Sequence, residues 1–177
     1  MKMFIAFIFL LPTVLFGLEV DLSKSNFKWT GAKVTGSHFG KVSLKSAKLD
    51  VKDGHINSGE FVMDMTSMTC EDLTGDTMNK LLNHLKNDDF FSVNKHPTAT
   101  LKIKHGMMGK LDGELTIKGI TKPISLKYSK KNNVFKGQMK FDRTHYGIKY
   151  GSGSFFKGLG DRIIYDEVTV DFVVTTK

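Results

Sequence analysis

Alternation of apolar and polar residues, with a period of two, runs through most of this 177-residue chain. Successive side chains of a β-strand point to opposite faces, so the pattern is typical of strands with one buried and one solvated face. It recurs in about eight segments joined by short turns such as Lys52–Asp53–Gly54, which predicts an all-β, antiparallel barrel of eight strands. The alternation changes phase near Ser46, which predicts a β-bulge where a long strand bends.

One segment departs from the strand period. Apolar residues recur there at helical spacing, at Met78, Leu81, Leu82 and Leu85. This spacing predicts a short helix over about 76–86, with Asp76 as its N-cap. A helix of this length needs an apolar surface to pack on. Phe90 and Phe91 follow directly, so we expect the helix and both rings to cover one open end of the barrel, with Asp88 and Asp89 in water.

The N-terminal segment 1–17 has the features of a secretory signal peptide. Lys2 precedes an uncharged apolar run of about 16 residues, shorter than the roughly 20 that a membrane span requires. An uncleaved anchor is the alternative, because Leu15 stands where a small residue is usual before the cut. We expect a cleaved signal peptide, a mature domain over 18–177, and a periplasmic or secreted protein.

The chain is basic, with a formal net charge of +8. A basic chain raises the question of nucleic acid or anionic lipid as a partner, and export argues against nucleic acid. The lysines tend to alternate with apolar residues, as expected for the solvated face of a sheet; weak, transient attraction to membrane surfaces is the alternative. Cys70 is the only cysteine, so the domain folds without an internal disulfide.

Alternation leaves open whether the barrel is filled by its own side chains or hollow, since eight strands allow either. Four glycines fall on the apolar face of predicted strands: Gly31, Gly59, Gly113 and Gly137. They either leave room for a ligand or only permit the sheet to coil. Met63, Met65 and Met139 favour a hollow interior, because flexible thioethers suit walls around a variable apolar guest.

The sequence offers little for catalysis. Its six histidines form no HxH or HExxH motif, and one cysteine cannot supply a zinc cluster. The glycine-rich run 150–161 lacks the strand-to-helix setting of a phosphate loop, which predicts a mobile loop instead. We therefore expect no catalytic residue, no metal site and no required cofactor.

Five segments together resemble the YceI-like family, the periplasmic polyisoprenoid-binding proteins with a lipocalin-like barrel. They read FKWTGAKVTGSHFGKVSLKSAKL (27–49), GEFVMDMTSMTCEDL (59–73), LLNHLKNDDFFSVNKHPTATLKI (81–103), GELTIKGITKPISL (113–126) and FDRTHYGIKYGSGSF (141–155). The resemblance implies an extended eight-stranded barrel whose apolar tunnel holds a long isoprenoid or a similar amphiphile. It also makes a homodimer plausible.

With this resemblance, we predict ligand contacts along the tunnel wall, beneath the helix and at the polar end. The predicted residues are Phe27, Trp29, His38, Phe39, Phe61, Met63, Met65, Leu82, Leu85, Phe90, Phe91, Leu101, Ile103, Leu115, Ile117, Phe135, Met139, Phe141, Arg143, Val170 and Phe172. His38 and Arg143 are the candidates for a polar head group, because imidazole and guanidinium groups can meet phosphate or carboxyl oxygens. Alternatively, Arg143 only pairs with Asp142 or Asp161.

Three functions fit these expectations. The first is an exported, non-catalytic carrier or store for a long-chain lipid, such as a polyisoprenoid, an isoprenoid quinone or a fatty-acid-like molecule. The second is an enzyme, or an accessory to an enzyme, that acts on such a lipid. The third is a packed barrel that binds other proteins through its basic face.

Overall fold

The computed structural model describes residues 17–177, so the predicted signal peptide lies outside the described residues except for Gly17. The described chain forms one antiparallel sheet and one α-helix. The strands are β1 (Asn26–Lys33), β2 (Gly36–Lys41), β3 (Ser43–Lys52), β4 (His55–Asp64), β5 (Thr98–Met107), β6 (Lys110–Ile117), β7 (Ile120–Lys131), β8 (Val134–Asp142) and β9 (Ile164–Thr175); the helix is α1 (Gly75–Lys86). Short 3₁₀ turns cover Met65–Ser67, Arg143–Tyr146 and Gly160–Arg162.

The sheet closes on itself through one bent strand. Its order is β2-β1-β9-β8-β7-β6-β5-β4-β3, and the two edge strands, β2 and β3, are separated in sequence only by Val42. The Val42 N–H donates to the Phe27 carbonyl at 3.1 Å, which ties the bend to β1. Nine strands are formed by residues 17–177 where the sequence predicts eight. The additional strand is β2, whose sequence GSHFGK has one large apolar side chain and therefore no apolar alternation. The predicted bulge is confirmed by a register shift between Leu44 and Ser46.

The outer edge of β2 is covered by the chain that follows the first 3₁₀ turn. The Thr69 N–H donates to the Lys41 carbonyl at 2.9 Å, and the Glu71 N–H donates to the Phe39 carbonyl at 2.8 Å. Gly40 permits this approach, because a Cβ there would lie 1.9 Å from the Thr69 carbonyl oxygen. The edge groups that would otherwise stay unpaired are satisfied, which protects the sheet against pairing with other chains.

The helix and the turn after it cover one end of the barrel, as predicted. Leu85 and Phe90 are buried and Phe91 is half-buried, while both aspartates of the turn are exposed. The Phe91 N–H donates to the Leu85 carbonyl at 3.0 Å, which folds the turn back under the helix. The prediction of Asp76 as N-cap is wrong: the helix begins at Gly75, so Asp76 lies in the first turn, where its charge favours the helix dipole.

The two halves of the barrel are packed differently. The half nearest the β3–β4, β5–β6 and β7–β8 turns is filled by buried side chains such as Leu49, Ile103 and Phe135. The half beneath α1 is not filled. Among residues 17–177, no helix is both long and apolar enough to cross a membrane.

Candidate ligand-binding site

An apolar cavity of about 180 Å³ lies inside the barrel beneath α1. Strands β1, β2, β4, β5, β6, β8 and β9 contribute to its wall, and the helix and the Phe90–Phe91 turn form its roof. Most of the predicted ligand-contacting residues line this cavity: Phe27, Trp29, His38, Phe61, Met63, Met65, Leu85, Phe90, Phe91, Leu101, Leu115, Met139, Phe141, Arg143 and Val170. Contact of these residues with a ligand stays a prediction.

The predicted tunnel does not run through the whole barrel. In the described residues, the deeper half holds a separate void of only about 30 Å³, close to the space of one water molecule. Ile103, Phe135 and Phe172 line this small void rather than the main cavity. The rings of Phe27 and Phe172 stack with their centroids 6.2 Å apart, so aromatic side chains of the protein occupy the space between the two voids.

Three predicted residues line neither void. Phe39 lies on the outer face of the barrel opposite Thr30, with the Lys28 ammonium 3.9 Å from its ring centroid. Leu82 packs against the core from the helix, one residue away from Leu81, which does reach the cavity. Ile117 is buried at the very end of β6, beyond the reach of the cavity. Phe39 is therefore on the wrong face of its strand, whereas Leu82 and Ile117 face the core at positions that the cavity does not reach.

Eleven further residues line the cavity and were not among those predicted. They are Gly31, Ala32, Lys33, Val42, Met68, Leu81, Ala99, Thr100, Ile164, Tyr165 and Val168. Val42, Leu81 and Val168 continue apolar patterns that are visible in the sequence, so they could have been found. Met68 and Tyr165 lie where the strand period is interrupted, and no sequence pattern marks them.

Of the four glycines on the predicted apolar face, only Gly31 leaves open space. A Cβ at Gly31 would meet no heavy atom within 4 Å. A Cβ at Gly59, Gly113 or Gly137 would lie 2.8, 2.3 or 2.3 Å from a carbonyl oxygen of the neighbouring strand. Those three glycines therefore permit close backbone approach, whereas Gly31 contributes empty volume to the cavity wall.

The cavity reaches the surface where β1 ends and β9 begins. Gly31 pairs with Val168 and Lys33 pairs with Ile164, so Ala32 alone stands opposite three residues of β9. This bulge interrupts the hydrogen-bonded wall between the two strands. Tyr165, within the bulge, lines the cavity and is 50% exposed, which marks the mouth.

Arg143 fastens the bulge. Its side chain is only 2% exposed, and its guanidinium donates to the carbonyls of Ile148, Ile164 and Tyr165 at 2.9, 2.9 and 3.1 Å. A fourth hydrogen bond, of 3.3 Å, joins it to the carboxylate of Asp166, rather than to Asp142 or Asp161. Burial lowers the pKa of Arg143, while the charges of the nearby aspartates oppose that shift. Four of its five N–H groups are engaged, so little of the guanidinium is left for a head group.

His38 lines the cavity beside the mouth and is held by a carboxylate. Its Nδ1 lies 2.7 Å from Oδ2 of Asp72. The other oxygen of this carboxylate, Oδ1, accepts from the Phe39 N–H at 2.9 Å and from Sγ of Cys70 at 3.3 Å. Burial by itself raises the pKa of Asp72, but these hydrogen bonds outweigh it and lower the pKa from 3.8 to about 2. Because the ionised carboxylate fixes Nδ1 as the donor, Nε2 of neutral His38 is an acceptor.

Two polar features of the site bear on chemistry. Burial raises the pKa of the Cys70 thiol, the opposite of what activates a cysteine nucleophile. Lys33 is half-buried at the mouth, lines the cavity, and forms no ion pair within residues 17–177. In the same part of the chain, no three His, Cys, Asp or Glu side chains are grouped so that they could hold a metal ion.

The YceI-like domain matches residues 18–176 of this sequence. The chain belongs to the YceI-like family. UPF0312 proteins of Pseudomonas aeruginosa are 42% identical to this YceI-like protein over 48 residues, a match that spans 25% of this chain and 25% of each relative. The chain therefore matches only about a quarter of the length of these curated relatives.

Solved structures share the fold over most of the chain. BcnA of Burkholderia cenocepacia is 22% identical to this YceI-like protein, with a TM-score of 0.68 over 90% of this chain and 100% of BcnA. A polyisoprenoid binding domain of Saccharophagus degradans, implicated in plant cell wall breakdown, is 15% identical, with a TM-score of 0.64 over 89% of this chain and 96% of that domain. The Campylobacter jejuni YceI protein is 21% identical, with a TM-score of 0.57 over 77% of this chain and 84% of its own.

Proposed function

We propose that this protein is an exported, non-catalytic binding protein that holds the apolar tail of a long-chain amphiphile in the cavity beneath α1, for transport or storage. The observation that carries the proposal is the cavity itself, whose wall is mainly apolar and has two basic side chains, Lys33 and His38, at or beside the mouth. The Saccharophagus degradans domain with this fold is described as polyisoprenoid binding, which supports the same class of ligand here.

The energy of binding would come from the tail. Each methylene removed from water contributes roughly 0.8 kcal/mol, so a chain of several carbons binds without a strong polar contact. Polar groups at the mouth would then select the head group. Lys33 is the better cation for that role than Arg143, because the guanidinium already makes four hydrogen bonds within the protein.

The size of the cavity sets a condition on the proposal. Pockets for drug-sized ligands typically measure about 300–1,000 Å³, so a cavity of 180 Å³ accepts only the end of a long tail. Met63, Met65, Met68 and Met139 all line it. Methionine is unbranched and has three rotatable side-chain bonds, so these walls can move outwards as more of the tail enters.

The proposal also states that the protein is exported and that it is not a catalyst. The arrangement of Cys70, Asp72 and His38 orders the chain beside β2, and the raised pKa of its thiol argues against a nucleophile. Export rests on the charged start and apolar run of segment 1–17.

The test is native mass spectrometry of the protein purified from the periplasm of its own cells, followed by extraction and identification of the bound molecule. We expect one long-chain amphiphile per chain. Protein stripped of lipid is then titrated with ligands that share a head group and differ in tail length, and affinity should rise with each added carbon until the cavity is full. Purification without any bound lipid, together with affinity that does not depend on tail length, would refute the proposal.

A further inference from the structure

Exposed apolar side chains are concentrated around the mouth of the cavity. Ten large hydrophobic side chains of residues 17–177 are exposed, and four of them, Val34, Phe155, Phe156 and Tyr165, form what we call the mouth patch. The Val34 N–H donates to the Ile163 carbonyl at 3.1 Å, which holds the β1–β2 turn beside the start of β9.

The loop that carries the two phenylalanines is fixed to the same place. The Ile164 N–H donates to the Gly151 carbonyl at 2.8 Å, and Oγ of Ser154 donates to the Asp166 carboxylate at 2.6 Å. Phe155 and Phe156 follow directly, and each is 49% exposed. Because the loop is anchored at both Gly151 and Ser154, the rings of Phe155 and Phe156 lie beside the mouth rather than elsewhere on the barrel.

The charges beside the mouth patch are mostly positive. Lys149, Lys157 and Arg162 are exposed on this loop, with Asp161 as its one acidic residue. The Lys149 ammonium lies 4.5 Å from the ring centroid of Phe155, so cation and aromatic side chain occupy one surface.

The opposite end of the barrel also has exposed apolar side chains. Met107 and Met108 at the β5–β6 turn are 76% and 81% exposed. Two lysines there are paired, Lys104 with Glu114 at 3.1 Å and Lys110 with Asp112 at 3.2 Å, whereas Lys130 and Lys131 at the neighbouring β7–β8 turn are exposed. The mouth patch is therefore distinguished by its place at the cavity opening rather than by its charge alone.

We propose that the mouth patch docks on the surface of an anionic lipid bilayer, so that an amphiphile passes between the bilayer and the cavity without crossing water. Aromatic and aliphatic side chains beside Lys and Arg match a surface with anionic head groups above an apolar interior. A patch of this kind, rimmed by polar residues, marks an interaction site on a soluble domain. The purpose of docking rests on the proposed function, but its test does not.

The test is flotation of the protein with vesicles of phosphatidylcholine that contain phosphatidylglycerol, and with vesicles of phosphatidylcholine alone. The parent should bind the anionic vesicles more tightly, and less so at high salt. Phe155→Ser/Phe156→Ser should lower the affinity about tenfold on anionic vesicles, because the inserted rings are lost. Lys149→Gln/Lys157→Gln should lower it about tenfold at low salt and have little effect at high salt.

The matched control is Met107→Ser/Met108→Ser, which removes two exposed apolar side chains from the other end and should bind as the parent does. Thermal unfolding verifies that each variant keeps its fold. Docking is overturned if the phenylalanine variant binds as the parent does, or if the control loses as much affinity. It is also overturned if the parent does not bind vesicles and instead self-associates through the mouth patch in analytical ultracentrifugation.

Native mass spectrometry of the same variants separates this inference from the proposed function. Vesicle binding that is lost in the phenylalanine variant, while the cavity still carries lipid, supports docking as a distinct property. A parent that binds vesicles but never carries lipid refutes the proposed function and leaves docking standing. A parent that carries lipid but binds no vesicle does the reverse.

Discussion

Gly31→Leu tests the cavity directly, because stability and ligand binding should change in opposite directions. Gly31 lines the cavity, and a Cβ at this position meets no atom within 4 Å. Its backbone is also outside the left-handed region, so a side chain is not strained there. Leucine therefore enters space that is now empty, at the end of β1 nearest the mouth.

The expected magnitudes follow from the volume. At about 24 cal/mol per Å³, an empty cavity of 180 Å³ costs about 4 kcal/mol. Leucine fills part of that volume, and replacing glycine in a strand contributes roughly 0.5–1 kcal/mol more. We expect the free energy of unfolding of the lipid-free variant to rise by about 1–3 kcal/mol. The four added carbons displace about four carbons of a ligand tail, worth about 3 kcal/mol or roughly 100-fold in affinity.

The assay is urea unfolding of lipid-free protein together with titration of a long-chain ligand. Lipid must be removed first, since a bound ligand stabilises the parent by mass action. Thr30→Leu is the control: it places leucine on the adjacent, outward position of β1, and should leave ligand affinity unchanged. Unchanged affinity in Gly31→Leu would refute the assignment of this cavity as the binding site, and a large loss of stability would refute the description of the space as empty.

Three further predictions concern the roof, the mouth and the carboxylate beside it. Phe91→Ala opens the roof at a half-buried ring, so retention of a long-chain lipid should fall about tenfold by mass spectrometry, with a smaller loss of stability; unchanged lipid content would contradict the role of the roof. In calorimetric titration, Lys33→Gln should weaken the binding of a ligand with an anionic head group more than that of a neutral ligand of equal tail length; equal losses for both ligands would remove the role assigned to Lys33. Arg143→Gln should instead lower the free energy of unfolding, by on the order of 3 kcal/mol, because the bulge carbonyls lose their donors. Because the pKa of Asp72 is lowered from 3.8 to about 2, its stabilising effect is present above pH 3.8 and is lost as pH falls towards 2. Asp72→Asn should therefore be less stable than the parent at neutral pH, by on the order of 1 kcal/mol, and the gap in urea unfolding should close in acid; a gap that persists at pH 2 would contradict this assignment.

Eight of the nine strands could be predicted, because in each of them the residues on the buried face are apolar and alternate with polar residues. The change of phase near Ser46 was likewise visible, since a bulge shifts the alternation by one. Strand β2 was not, because Gly36–Lys41 reads GSHFGK and has no apolar alternation, so that it is recognised only by its pairing with β1. Strand number therefore depended on tertiary geometry, whereas strand faces did not.

The extent of the cavity could not be predicted, because filled and empty parts of a barrel have the same alternation. Phe135 and Phe141 lie on one face of β8, yet Phe135 packs the deep half and Phe141 lines the cavity. Gly31 and Gly113 are likewise both in phase with the apolar residues of their strands. They differ only in the structure, where a carbonyl of the neighbouring strand approaches Gly113 and no atom approaches Gly31. The Arg143 guanidinium binds carbonyls at the bulge. Its partners could not be predicted, because no local sequence pattern marks the bulge.

The bulge between β1 and β9 has a consequence for how this architecture can vary. Its loose carbonyls are satisfied by a side chain from a different segment, so the ladder pairs on either side of it do not depend on its length. We expect that adding or removing a residue at this point would change the width of the opening and leave the register of the remaining wall in place. Related barrels could then differ in the width of this opening through changes confined to one short segment.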